Sequence, residues 1–436
     1  MRGLYIHIPF CQHKCSYCDF YAVERLEMVE LFVEALCREV ALLPENFPEA
    51  VQEPIGTLYF GGGTPSLLAP HQLERILAAL QRVFRFESKL EWTLECNPGT
   101  VDRQRLQAYR AVGVNRISFG VQSLADDELR FLERLHSAED ACQAVEWAFQ
   151  AGFDNVNVDL MFALPGQTLL SWQRTLERVR ALAPQHISAY SLIWEPGTPL
   201  YRRWQQGQIA PVSEELESAQ YELAASLLEQ DGYVHYEVSN FAQPGYVCRH
   251  NLLYWHGEQY VALGPAAHGY VNGRRYWNVR NLRRYLELLR QGKLPIAGSE
   301  QLSAYQRLEE VLFLGLRSDG LRFESIRREF GLELEREAQE LFQRWDEAGL
   351  LRLWTPERLW LNSRGYALCD ELAAELVVFA ERLWKRRYGT DSMPGVLPLR
   401  VLDEEAVLGA LPGYAQAVDS SSSCTRMPSL PRGGHK

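Results

Sequence analysis

Long apolar runs are missing: no stretch approaches the roughly 18 apolar residues that a membrane-spanning helix requires. The opening residues, MRGLYIHIPF, also lack the charged, apolar and small-residue zones of a secretory signal. These absences predict a cytoplasmic chain with no integral membrane segment. Cysteine is scarce, nine in 436 residues, odd in number and unevenly placed, which excludes a disulfide scaffold and suits a reducing compartment. A C-x-x-C-H haem-attachment motif is absent. Basic charge is in deficit, with 45 Lys and Arg against 56 Asp and Glu and a formal net charge of -11. That balance argues against nucleic acid as a general partner, because counterion displacement needs a basic surface. What remains, 47% hydrophobic and 23% charged, suits a globular protein with a sizeable core.

From residue 3 to 195 one rhythm repeats: a short β-rich run, a turn rich in Gly, Pro or Asn, then a helical stripe. The runs are Leu4–Pro9, Thr57–Phe60, Leu90–Glu95, Arg116–Val121, Asn155–Phe162 and Ile187–Ile193. Such alternation predicts an α/β fold with a parallel sheet of right-handed crossovers, here a partial (β/α)6 barrel. Residues 1–295 are assigned to this barrel and an aromatic-rich extension. Residues 296–387 are assigned to a small C-terminal α+β unit, winged-helix-like, with three amphipathic helices, a hairpin at Leu351–Trp354 and Arg358–Leu361, and a last helix from Ser363. Between 300 and 385 there are 12 Lys and Arg against 17 Asp and Glu, which favours packing or a protein partner over DNA. Residues 388–436, rich in Gly, Pro and Ser and carrying Cys424, read as a flexible tail.

The residues with chemical character follow strand ends, where a parallel barrel carries its site. Cys11, Cys15 and Cys18 form C-x3-C-x2-C after the first strand. Three thiolates there could reach three corners of an iron–sulfur cube, which normally takes four. The spacing by itself also admits zinc, with His13 as a further ligand. Gly61, Gly62 and Gly63 after the second strand let backbone approach closely, and Pro65 suits the opening of a helix.

YIHIPFCQHKCSYCDF resembles the cluster loop of the radical S-adenosylmethionine (radical SAM) superfamily, in which an aromatic residue stands before the third cysteine as Tyr17 does here. YFGGGTPSLL, ECNPGT, RISFGVQS, NVDLMFALPGQT and EPGTPL are similar, in order and spacing, to the oxygen-independent coproporphyrinogen oxidase-like family. The resemblance implies a radical SAM barrel with one [4Fe–4S] cluster on Cys11, Cys15 and Cys18 and S-adenosylmethionine on the open iron. It implies that Gly62, Gly63 and Thr64 meet the methionine amino group, and that Glu95, Gln122, Arg134 and Asp159 are the other polar contacts. These types complement an amino group, a carboxylate and a ribose. Tyr5, Tyr17 and Ile193 are expected to complete the cofactor site. The implied reaction is electron donation from the cluster into the sulfonium, giving a 5′-deoxyadenosyl radical.

Oxidase members resemble one another in a further cysteine two residues after the third, where this chain has Phe20, and in a longer segment ahead of the cluster than the ten residues here. Both departures agree with the sister branch of HemW-type haem chaperones, which the chain also resembles in its H-N-x-x-Y-W motif, His250-Asn251-Leu252-Leu253-Tyr254-Trp255. That branch implies haem as a further cofactor, acceptor haem proteins as partners, and His250 as a candidate haem ligand. A hydrogen-bonded structural role for His250 is the plain alternative, and Cys248, His256 and His268 are nearby competitors. Two other functions stay open at this point, a coproporphyrinogen III oxidase and a radical enzyme with another substrate.

Overall fold

A computed structural model describes residues 2–389, so nearly all of the expected tail, with Cys424, lies outside the described residues. The barrel unit alternates strands and helices in chain order. They are β1 (Arg2–Ile8), α1 (Val29–Asn46), β2 (Ile55–Gly62), α2 (Pro70–Val83), β3 (Phe86–Cys96), α3 (Arg103–Val112), β4 (Arg116–Gln122), α4 (Asp126–Phe131), α5 (Ala138–Gln150), β5 (Val156–Phe162), α6 (Leu169–Leu182) and β6 (His186–Ser191). Strands β1 to β6 pair in chain order, all parallel. The expected α/β partial barrel is present.

The period-2 alternation of each strand explains how one sheet serves two environments. Leu4, Ile6, Ile8, Leu58, Phe60, Trp92, Leu94, Ile117, Phe119, Val156, Val158 and Leu160 enter the main core with the apolar faces of the helices. The intervening positions are polar or small: Tyr5, His7, Tyr59, Gly61, Glu95, Ser118, Gln122, Asn157, Asp159 and Tyr190 line the other face. The Tyr190 hydroxyl donates to Gln122 Oε1 at 2.6 Å, reaching past β5, so these side chains converge on an interior. Helix starts are marked by Asp102, Ser137 and Thr168, whose side chains accept from the third residue onward, and by Pro70 opening α2.

The aromatic-rich extension widens the sheet on both edges. After α7 (Pro199–Gln205) and α8 (Glu214–Gln230), β7 (Val234–Glu237) and β8 (Asn240–Ala242) add antiparallel to β6. Beyond α9 (Arg249–Trp255), β9 (Tyr260–Leu263) pairs parallel with β1. It is followed by antiparallel β10 (His268–Val271) and β11 (Arg274–Asn278), α10 (Leu282–Arg290) and β12 (Ile296–Gln301), completing a 12-stranded sheet. Residues 296–301, assigned by sequence to the C-terminal unit, therefore belong to the large sheet; their weak apolar content is that of an edge strand whose side chains alternate between half-buried and exposed.

A second core gathers residues between Tyr305 and Trp384. It comprises α11 (Ala304–Leu316), β13 (Leu321–Arg322), α12 (Phe323–Phe330), the one-turn α13 (Leu334–Glu337), α14 (Gln339–Glu347), β14 (Leu351–Trp354), β15 (Arg358–Leu361), α15 (Ser363–Ala367) and α16 (Cys369–Tyr388). The hairpin has its expected bounds. The last helix is broken at Leu368, which leaves the helical region at φ -115° and ψ 17°.

Candidate active site

The cluster loop leaves β1 at Ile8 and is closed at its base by two backbone hydrogen bonds, Val23 N–H to Pro9 O (2.9 Å) and Cys11 N–H to Val23 O (3.1 Å). A turn, Cys18 N–H to Cys15 O, brings the later two cysteines to one side. Cys11 and Cys15 are buried and Cys18 half-buried. Burial raises the Cys11 thiol and pushes Cys18 up to about 12, so a bound metal must supply the positive charge that ionises them. His13 turns outward to Glu24 (3.5 Å) and Glu133 (3.4 Å), at 40% side-chain exposure, and does not join the thiols. Among the described residues no three His, Cys, Asp or Glu side chains gather around one point as a single ion would need.

The glycines beside this loop do more than clear space for a ligand. A Cβ on Gly63 would lie 2.6 Å from Phe10 O and 2.9 Å from Ile8 O, so the turn packs directly against the root of the cluster loop. Gly62 has φ +105°, a region that favours glycine, and a Cβ there would meet the His7 ring. Thr64, fully packed, donates its hydroxyl to Cys11 Sγ (3.5 Å) and accepts from Asn97 Nδ2 (3.0 Å). Glu95 accepts from Tyr59 OH (2.8 Å) and the Gly62 amide (3.1 Å). Desolvation, reinforced by the Asp159 charge, raises its carboxyl to about 8.

Arg134 ties the two sides together: Nη2 donates to Asn97 Oδ1 (2.5 Å) and Gly120 O (2.6 Å), and Nη1 approaches Cys15 Sγ at 3.7 Å. Asn97 was not singled out from sequence, yet it joins Arg134 to Thr64; its place in ECNPG was the available signal. Gln122 sits at φ +69°, uncommon for a residue other than glycine, at the end of β4. Asp159 accepts from Ser118 (3.2 Å) and Asn157 (2.7 Å), with its carboxyl raised by burial. Tyr17 packs beside Leu132, Met161, Leu164 and Leu192. Ile193 lies half-buried in the loop after β6, and Tyr5 OH contacts His7 Nδ1 at 3.1 Å.

His250 sits elsewhere, in the interior beside the β2 and β3 positions Thr57 and Glu91. Both ring nitrogens are engaged, Nδ1 with Thr57 Oγ1 (2.7 Å) and Nε2 with Tyr254 OH (2.9 Å), and the ring stacks on Tyr59. Its backbone N–H and that of Arg249 donate to the Glu91 carboxylate, which caps the start of α9. This is the hydrogen-bonded structural arrangement, and iron ligation by His250 would require breaking one of its two bonds. Cys248 is also buried, its thiol 3.8 Å from Glu91 and raised to about 12 by burial, and His256 is held by Asp319 at 2.6 Å.

The donor set fits a three-thiolate cluster with an amino-acid ligand. Besides the thiols, Arg134 Nε and Ser16 Oγ are buried without a partner among the described residues, leaving hydrogen-bonding capacity beside Cys15. Comparison with known proteins agrees. The radical SAM superfamily model matches residues 5–179. The heme chaperone HemW of Bacillus subtilis (strain 168) is 35% identical over 85% of this chain and 98% of its own length. HemW of Mycobacterium tuberculosis (strain H37Rv) is 36% identical over 86% and 94%. The mitochondrial radical S-adenosyl methionine domain-containing protein 1 of Bos taurus is 35% identical over 88% and 89%. Among solved structures, the coproporphyrinogen III oxidase HemN of Escherichia coli superimposes with a TM-score of 0.71 at 22% identity, covering 85% of this chain and 89% of that one, a likeness of fold. With thiols, glycine turn and polar strand ends at one end of a parallel sheet, and relatives matched over most of their length, the chain belongs to the HemW family of the radical SAM superfamily.

Proposed function

We propose that this protein is a haem chaperone that holds a [4Fe–4S] cluster on Cys11, Cys15 and Cys18, binds S-adenosylmethionine beside it, and passes haem to acceptor haem proteins. The observation that carries the reading is that Thr64 and Arg134 contact the sulfurs of Cys11 and Cys15, with Glu95 on the Gly62 amide, at the end of the sheet where the three-cysteine loop leaves β1, in a chain of this family. When bound, the cluster would supply an electron to the sulfonium of S-adenosylmethionine. Thr64 and Arg134 steady the sulfurs of Cys11 and Cys15. Glu95, Gln122 and Asp159 offer oxygen acceptors to an ammonium or a ribose, and Arg134 offers a cation to a carboxylate. Tyr17 and its apolar neighbours shield the loop from water on the α4 side.

Among the described residues no helix is long and apolar enough to cross a membrane. The competing reading, a coproporphyrinogen III oxidase, draws support from the shared fold. Phe20 in place of the oxidases' additional cysteine weighs against it. Incubating the reconstituted protein anaerobically with haem and an apo haem protein separates the two. Haem transfer without conversion of coproporphyrinogen III is expected, and turnover to protoporphyrinogen IX without transfer contradicts the chaperone reading.

A further inference from the structure

A column of aromatic rings runs through the interior from the cofactor site to the surface. Tyr5 on β1 and Tyr59 on β2 are paired in register and stack with ring centroids 6.2 Å apart. Tyr59 stacks in turn on His250 (4.9 Å), His250 meets Tyr254 edge-on (5.0 Å), and Tyr254 meets Tyr260 in the same way (4.6 Å). Tyr270, opposite Tyr260 in the sheet, packs against this last pair and is half-buried under Arg307, so the column reaches the surface there. Its other end adjoins the cluster loop. A Cβ on Gly61 would lie 2.9 Å from Tyr59, 3.0 Å from Tyr5 and 3.1 Å from Glu95, so all three flank the glycine turn that packs on that loop.

Packing accounts for the rings but not for their hydroxyls, since phenylalanine would fill the same space without burying an O–H. The hydroxyls of Tyr5, Tyr59 and Tyr254 each face a side chain that can take a proton. Tyr5 donates to His7 Nδ1 (3.1 Å), an acceptor because Nε2 gives its hydrogen to Tyr21 O (2.8 Å). Tyr59 donates to Glu95 (2.8 Å), which takes a proton in its ionised form. Tyr254 OH lies 2.9 Å from His250 Nε2, an acceptor when Nδ1 donates to Thr57. Tyr109, Tyr276 and Tyr366, outside the column, donate to backbone carbonyls instead. Burial raises Tyr5, Tyr59 and Tyr254 well above the ordinary phenol range, so all three keep their hydrogens at neutral pH. A buried phenol gives up an electron readily only when its proton has somewhere to go, and rings in contact pass electrons between them.

We propose that the column is an electron relay: Tyr270 takes electrons in at the surface and Tyr5 delivers them to the cluster end, quenching high-potential one-electron oxidants formed when peroxide meets iron there. Its purpose rests on the iron-binding reading above. The oxidant takes one electron from Tyr5, whose proton moves to His7, leaving a neutral tyrosyl radical. An electron from Tyr59 then restores Tyr5, which recovers its proton from His7, while the proton of Tyr59 passes to Glu95. Tyr254 restores Tyr59 across the His250 ring, Glu95 returning its proton and His250 taking that of Tyr254. Tyr270 restores Tyr254 across the Tyr260 ring, with the proton on His250 going back and that of Tyr270 leaving to water. A soluble thiol then gives Tyr270 an electron and a proton, and two of the resulting thiyl radicals join as a disulfide.

A radical trap inside the column tests it without any cofactor. The metal-free full chain carrying Tyr59→3-aminotyrosine is oxidised from solution by a photoexcited ruthenium tris-bipyridyl complex with persulfate, above pH 8, where Glu95 is ionised. Position 59 is buried and out of reach of the complex, so an aminotyrosyl signal in electron paramagnetic resonance reports transfer along the column. Adding Tyr254→Phe, which keeps the ring and removes the hydroxyl, should lower that signal severalfold. Adding Tyr236→Phe, a buried tyrosine on His186 outside the column, should leave it unchanged. Thermal melting checks that each variant is folded. No signal at position 59 in a folded chain, or equal signals with and without Tyr254→Phe, overturns the relay. In the iron-loaded protein, peroxide should destroy more cluster-loop thiol in Tyr254→Phe than in wild type, and equal damage overturns the protective role. If the chain takes up no iron, the cluster reading falls and the protective role with it, while the trap still decides whether the relay exists.

Discussion

At the scale of single residues, the site depends on contacts that its chemistry alone would not suggest. Gly63 is required by the backbone of Phe10, so Gly63→Ala should cost about 1–3 kcal/mol by overpacking and should loosen the cluster loop. Iron incorporated per chain on anaerobic reconstitution should fall well below wild type, and full loading would contradict the packing argument. Glu95 tests the electrostatics. Its carboxyl is held at about 8 against an ordinary 4.5, so the folded protein binds that proton more tightly than the unfolded chain. The metal-free protein therefore loses stability as pH rises from 4.5 to 8, where the unfolded carboxyl has ionised and the folded one resists. Glu95→Gln should erase that loss, so that its melting temperature relative to wild type climbs across this window, while S-adenosylmethionine binding weakens. Parallel pH profiles for the two proteins would contradict the buried, neutral carboxyl. The strand-end residues were legible in the sequence because they fall in short motifs. Asn97 and Tyr59 were not, since an asparagine in a turn and a tyrosine in a strand carry no mark of what lies across the interior.

At the scale of elements, α9 bears the H-N-x-x-Y-W motif and shows how a motif can serve the fold. Glu91 caps its start, His250 joins it to Thr57, and Trp255 packs with Leu314 of α11. His256, which ends it, meets Asp319, which also holds Arg322 (2.7 Å) and Arg358 (2.9 Å). Burial alone would raise the Asp319 carboxyl, but the His256 hydrogen bond and the two arginines outweigh it and hold it below 3.8. That stabilisation is present above 3.8 and is lost as pH falls through the lowered value. Asp319→Asn should cost about 1–3 kcal/mol at neutral pH, with the gap closing in acid. Urea titrations at neutral and acid pH would reveal it, and an equal difference at both would contradict the ion-pair account. Strands β1 to β6 were legible because buried parallel strands read as apolar runs between turn residues. The bounds and order of the flanking strands were not, because β7 to β11 are three to five residues long and take their order from pairing with neighbours already in place.

At the scale of the whole molecule, two cores meet along β7 and α8. Arg352 donates to His235 O (2.9 Å), Val238 N–H to Arg317 O (2.8 Å), and His235 Nδ1 contacts Ser363 Oγ (3.0 Å). None of these long-range bonds could be read from local pattern, since their partners lie up to 128 positions apart. The alternation of strand and helix and the three-cysteine loop could be, because both are set by neighbours in sequence. The central claim is that this loop holds a cube with one iron open to S-adenosylmethionine. Anaerobic reconstitution with iron and sulfide, followed by electron paramagnetic resonance of the reduced protein, tests it most directly. A reduced [4Fe–4S] signal that changes when S-adenosylmethionine is added, and that is absent in Cys15→Ala, is the predicted result. Failure to incorporate iron, zinc in its place, or a cluster signal indifferent to S-adenosylmethionine would contradict it.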